Sequence, residues 1–109
     1  MEKQQLPACP VETTLTLISD KWKVLILREL LPGTKRFGEL KKSIGHVSQK
    51  VLTAQLRQME QSGLLTRTVY PEVPPRVEYS LTELGYSLKP ILDAMSIWGE
   101  NYKENYYQD

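Results

Sequence analysis

One cysteine and one histidine stand in 109 residues. A single thiol cannot close a disulfide within the chain, and the pair falls short of the four ligands of a structural zinc site. Long apolar runs are also missing. Val24-Leu25-Ile26-Leu27 is cut by Arg28, and nothing approaches the ~20 apolar residues of a membrane-spanning helix. Met1-Glu2-Lys3-Gln4-Gln5 lacks the apolar core of a secretory signal. A cytoplasmic protein with no membrane attachment is expected. There is no phosphate-cradling glycine loop, no Cys–His pair in a suitable setting and no carboxylate cluster in a basic segment. An enzyme is therefore not expected, and neither is a cofactor or a metal.

Net charge is scarce as well, at +1, but it is unevenly spread. Residues 1–33 are balanced. Residues 34–76 hold eight basic residues against three acidic ones, and residues 77–109 hold two against six. The central segment is thus the part that a phosphate backbone would attract. Charge alone favours a merely solvated face, and only a motif in the same place shifts that balance.

Apolar and charged contents of 40% and 25% fit one globular domain with a real core. Pro10 and Glu12 suit the start of a first helix, with Glu12 placed to cap it. Leu15 and Ile18 give that helix a short apolar stripe. Asp20 suits an N-cap, and Trp22, Leu25, Ile26 and Leu30 recur at helical spacing, so residues 21–31 are predicted as a core helix. Pro32-Gly33 stops it. Thr34-Lys35-Arg36 suits a short strand. Phe37, Leu40 and Ile44 form one face of the next helix, which Gly45 closes.

Ser48 then suits the N-cap of a helix running to Gln61. Leu52, Leu56 and Met59 lie on one side of it. At ~100° per residue the opposite side holds Lys50, Ala54, Arg57 and Gln61, flanked by Gln49 and Thr53. That face suits base edges and phosphates, although solvent is the commoner neighbour of a polar helix face. Two strands follow, Leu65–Tyr70 and Val77–Leu81, joined by Pro71-Glu72-Val73-Pro74-Pro75-Arg76. Helix, turn, helix and hairpin outline a winged helix-turn-helix. The fold class is mainly α with a small β-hairpin. It presents one helix to the major groove and a flexible basic loop, flanked by Arg67 and Arg76, to the backbone or minor groove.

Thr82 suits the cap of one last long helix. Leu84, Leu88, Ile91, Met95, Trp98 and Tyr102 follow at spacings of four and three, the seam of a coiled-coil-like contact. Pro90 is expected to kink it. The stripe either covers its own domain or forms a dimer seam with the first helix beside it, and the seam is preferred. The chain then divides into an arm (1–8), a winged-helix core (9–81) and a dimerisation helix with its tail (82–109), all within one domain.

The assembled residues resemble the HxlR-type family of bacterial winged-helix regulators, relatives of the MarR group. The matching stretches are Cys9-Pro10, Ser19-Asp20-Lys21-Trp22, Arg36-Phe37-Gly38-Glu39-Leu40, Val47-Ser48-Gln49-Lys50-Val51-Leu52-Thr53 and Gly63-Leu64-Leu65-Thr66-Arg67. More specific is the ordered set Tyr70, Pro74-Pro75-Arg76-Val77-Glu78-Tyr79, Leu81-Thr82 and Gly85, with Trp98-Gly99 after it. The resemblance runs from Cys9 to Tyr102. One departure is Ile44-Gly45-His46-Val47, where the family often has Pro-Gly-Ile; His46 is read as a surface turn residue.

The resemblance implies a homodimeric transcription factor on an inverted-repeat operator in double-stranded DNA. Lys35, Arg36, Ser48, Gln49, Lys50, Thr53, Arg57, Arg67 and Arg76 are then the candidate DNA-binding residues. It also implies that Cys9 senses an oxidant or electrophile. At a helix start the unpaired amides favour an anion; Glu12 opposes this and Lys3 assists. An inert buried thiol is the alternative. Two other functions stay open: a winged-helix module that binds protein only, and a regulator gated by a small molecule near Trp22, Trp98 and the dimer seam.

Overall fold

The computed structural model describes residues 5–107. Among the described residues six helices and three strands follow one another: α1 Pro10–Ile18, α2 Lys21–Leu30, β1 Lys35–Arg36, α3 Phe37–Ile44, α4 Gln49–Gln61, β2 Leu65–Tyr70, β3 Arg76–Leu81, α5 Glu83–Tyr86 and α6 Lys89–Asn105. The strands form one antiparallel sheet in the order β1-β3-β2. This is a mainly helical winged helix-turn-helix.

Local chemistry sets most of the boundaries. Asp20 caps α2 by accepting from the Trp22 amide at 2.7 Å, and Ser48 caps α4 by accepting from the Val51 amide at 3.1 Å. Glu39 accepts from the Arg36 amide at 2.8 Å and so closes the first turn of α3. Gly45 ends α3 at φ +91°, where a side chain would be strained. The left-handed position therefore falls on Gly45, and His46 does not have to adopt it. After α4 the Leu64 amide reaches back to the Met59 carbonyl at 2.9 Å, and the Gly63 amide to Glu60 at 3.1 Å. That pair of bonds satisfies the last carbonyls and turns the chain into β2. Pro10 opens α1 as expected, but Glu12 does not cap it; Cys9 is the N-cap residue and makes no side-chain cap bond.

The core is built around α2 and α4. Ile26, Leu27 and Leu30 of α2 meet Leu52, Leu56 and Met59 of α4, with Leu40, Leu64 and Leu65 closing round them. All nine are essentially inaccessible. Tyr79 and Leu81 cover this cluster from the sheet.

The C-terminal part differs from the sequence expectation. Where the apolar spacing predicts one kinked helix, the structure has a short helix, a break at Ser87-Leu88 and a second helix. Pro90 does not kink α6; it lies in the first turn of α6, where its missing N–H would have had no partner anyway. The break turns Leu88 into the protomer's own core, together with Leu92.

Gly85 shows how tightly α5 is seated. A Cβ built there would lie 2.2 Å from the Leu64 carbonyl oxygen and 3.1 Å from Leu81 Cδ2. That carbonyl also accepts from the Thr82 amide at 3.0 Å, and Thr82 Oγ1 caps Gly85 at 3.1 Å. Gly85→Ala must therefore displace backbone, which outweighs the better helix propensity of alanine. We expect a loss of roughly 1–3 kcal/mol, read as a lower urea midpoint at unchanged m-value.

Candidate nucleic-acid interface

Burial of Leu52, Leu56 and Met59 leaves the other side of α4 to solvent. Gln49, Lys50, Thr53, Ala54, Arg57 and Gln61 are all exposed there. Ser48 stands at the helix start with its oxygen already engaged as a cap.

The two flanks of this face have different surroundings. On one, Lys23 Nζ of α2 donates to Gln55 Oε1 at 2.7 Å and to Gln58 Oε1 at 2.8 Å. Gln55 Nε2 in turn donates to Asp20 Oδ2 at 3.2 Å. One carboxylate thus caps α2 and holds α4. The sequence reading missed Lys23, Gln55 and Gln58; their only signal is the i, i+3 pair of glutamines bordering the buried stripe of α4. On the other flank, a groove lies between α4 and the sheet. Gln49, Thr53, Arg57 and Glu60 of α4 line it, with Arg67, Val77 and Tyr79 from the sheet and Phe37 from α3.

Arg67 therefore does not stand beside the wing tip. It lies opposite Tyr79 in the sheet register and opens, exposed, on the same groove as Arg57. Arg76 is at the wing but is already engaged. Its guanidinium lies 4.1 Å from the Tyr70 ring centroid, with Glu72 at 3.1 Å and Glu78 at 3.6 Å. Half-exposed ion pairs of this kind contribute at most ~1 kcal/mol each, and the stacking about as much. That is enough to hold Arg76 in place while the trio carries one net negative charge. The tip, Pro71–Pro75, contains Glu72 and no lysine or arginine, so the wing loop is not basic. Lys35 and Arg36 pair with Tyr79 and Glu78 across the sheet, and Arg36 shares a depression with the wing loop.

His46, in the turn between α3 and α4, packs against Trp22 at 5.3 Å between centroids, and Lys21 lies 4.4 Å above the same indole. Among the described residues no group of three or more His, Cys, Asp or Glu could hold a metal, and no helix is long and apolar enough to cross a membrane. Cys9 is exposed; Lys3, expected near it, lies outside the described residues.

A second surface lies away from α4. Of the six residues expected on the C-terminal seam, Leu88 is in the core, while Leu84, Ile91, Met95, Trp98 and Tyr102 remain exposed. Trp98 stacks on Tyr102 at 5.6 Å, and Tyr102 on Tyr106 at 6.3 Å. Trp22 and Trp98 thus have separate partners. Val11 and Leu15 of α1 are exposed too.

A family model of the HxlR-like helix-turn-helix matches residues 17–107. The chain belongs to the HxlR-like helix-turn-helix family. Its relatives include the HTH-type transcriptional regulator YdeP of Bacillus subtilis, 51% identical over 96 residues that cover 88% of this chain and 75% of YdeP. Among solved structures, the redox regulator HypR in its oxidised form superposes with a TM-score of 0.81 at 44% identity, covering 93% of this chain and 99% of HypR. Quinone-bound YodB from B. subtilis superposes with a TM-score of 0.72 at 33% identity, covering 85% and 99%. The protein is accordingly a helix-turn-helix transcriptional regulator that binds DNA, and not an enzyme.

The two wing arginines should behave differently. Arg67 is free to meet a phosphate, so Arg67→Ala should lower the slope of log K against log salt by about one. Arg76→Ala removes a cation that Glu72 and Glu78 already neutralise, and should leave that slope nearly unchanged. Binding isotherms at several salt concentrations, on operator and on scrambled DNA, check both.

Proposed function

We propose that the chain acts in the cytoplasm as a homodimer on an inverted-repeat operator, with its DNA affinity set by oxidants or electrophiles at Cys9. The observation that carries the DNA part is the exposed outer face of α4, cationic and amide-rich, above a dry inner face. Lys50 and Arg57 are the readers, because either can donate to the acceptors of guanine. Gln49, Thr53 and the Ser48 hydroxyl assist them, and Arg67, Lys35 and Arg36 supply phosphate contacts.

Dimerisation explains the surface on α1 and α6. Val11, Leu15, Met95, Trp98 and Tyr102 are large apolar side chains left exposed on these two helices, and apolar groups of that kind on neighbouring positions are what a partner surface would cover. A dimer through these helices buries it and sets two copies of α4 at a fixed spacing. Leu84 and Ile91 are exposed too, and so are Ile97 and Tyr106, which were absent from the sequence expectation.

For the effector, support comes from the position of Cys9 and from two relatives, one described as a redox regulator and one holding a quinone. Cys9 is exposed and stands at the N-cap of α1. Its thiolate can add to a ring carbon of a quinone, forming a C–S bond while the ring takes up a proton and becomes a hydroquinone. The adduct pushes on α1, and through the dimer on the spacing of the two α4 helices.

Two outcomes are expected. Lys50→Ala and Arg57→Ala should each weaken operator binding by ~1–3 kcal/mol with little effect on scrambled DNA, measured on an operator enriched from a random pool. Wild-type protein treated with a quinone should lose or change operator affinity, while Cys9→Ser should not. Identical responses of the two proteins would move the effector to a reversibly bound ligand.

A further inference from the structure

The outer face of α4 is not uniformly polar. Gln49, Lys50 and Arg57 end in hydrogen-bonding groups and Thr53 carries a methyl group beside its hydroxyl, whereas Ala54, exposed among them, stops at its β-carbon. A side chain that short amid longer neighbours leaves a shallow depression, and the five residues line it. Its surface is chiefly carbon, so the polar ends of its neighbours do not form its floor. The groove on the other side of Arg57, shared with Glu60 and Arg67, is far more polar.

Major-groove base edges offer few partners for such a floor. Guanine, cytosine and adenine present only donors and acceptors there, and thymine alone adds a methyl group at C5. The methyl groups of alanine and threonine are the apolar partners that fit it. Residues 53 and 54 also stand between Gln49 and Arg57, within the part of a recognition helix that reaches base edges. A phosphate would favour a cationic floor, and an adenine a paired amide.

We infer that Ala54 and Thr53 seat the 5-methyl group of a thymine, so that each operator half-site carries a thymine beneath the middle of α4. This rests on the reading of α4 as the DNA-reading helix. It adds a specificity determinant that operates by van der Waals contact and desolvation, beside the hydrogen bonds of Lys50 and Arg57.

The test replaces single thymines of the enriched operator by deoxyuridine. This removes the methyl group and leaves the pairing edge and O4 unchanged. Affinity is read by fluorescence anisotropy at fixed salt. One thymine per half-site should show about fourfold weaker binding without its methyl group, and roughly 16-fold when both half-sites are changed, the effect of one buried carbon each. Thr53→Ser and Ala54→Gly should bring that thymine-to-uracil ratio towards one at the same position. Because the ratio is taken within one protein, a general loss of stability or affinity cancels. An operator in which no thymine methyl matters overturns the seat, and so does a ratio that survives in both variants. A protein that enriches no sequence from the pool overturns the reading of α4 itself, which is a separate failure.

Discussion

Burial of Leu52, Leu56 and Met59 fixes the rotation of α4, and the arrangement of the site depends on it. Three such side chains are worth roughly 5–9 kcal/mol of transfer free energy as an upper bound, comparable to the whole stability of a small domain. No surface interaction can turn the helix against that. The Lys23–Gln55–Gln58–Asp20 network contributes less energy but trims the remaining freedom, because it holds α4 at two positions one turn apart. Lys50, Ala54 and Arg57 then have one direction left, into solvent or into a DNA groove.

Electrostatics follow the same division. The basic central segment of the sequence supplies Lys50 and Arg57 to the face of α4 and Arg67 to its groove with the sheet, with Lys35, Arg36, Lys41 and Lys42 on β1 and α3. The acidic C-terminal segment supplies most of β3 and then α5 and α6, and all of its acids but Glu78 follow the sheet. Arg76 is the exception: it belongs to the basic segment but is neutralised by Glu72 and Glu78. Its guanidinium shapes the wing by lying on Tyr70. The cationic track therefore runs along Lys50, Arg57 and Arg67 and does not extend to the tip of the hairpin, where Val73 is fully exposed.

Most of this was legible in the sequence because it is locally encoded. The 3.6-residue period of Leu52, Leu56 and Met59, the caps Asp20 and Ser48, and the stops at Gly45 and Gly63 each act within a few residues. What was not legible depends on how the elements pack and on the geometry of the hairpin. A proline one position into a helix and a proline inside one look alike in a string, so the break before Pro90 and the inward turn of Leu88 needed the packing of α5 against Leu64 and Leu81. Arg76 could be counted as a cation, but its two carboxylate partners could not be assigned without the hairpin geometry. The glutamines of α4 could be placed on a helix face, but nothing in their spacing named Lys23.

In the proposed complex two copies of α4 enter successive major grooves with the face of Lys50 and Arg57 towards the bases. Methylation interference tests it most directly, because dimethyl sulfate marks guanine N7 in the major groove and adenine N3 in the minor groove. On the enriched operator, N7 methylation should block binding in two clusters centred about 10 base pairs, ~34–36 Å, apart. Interference confined to adenine N3, or a single N7 cluster, would contradict it.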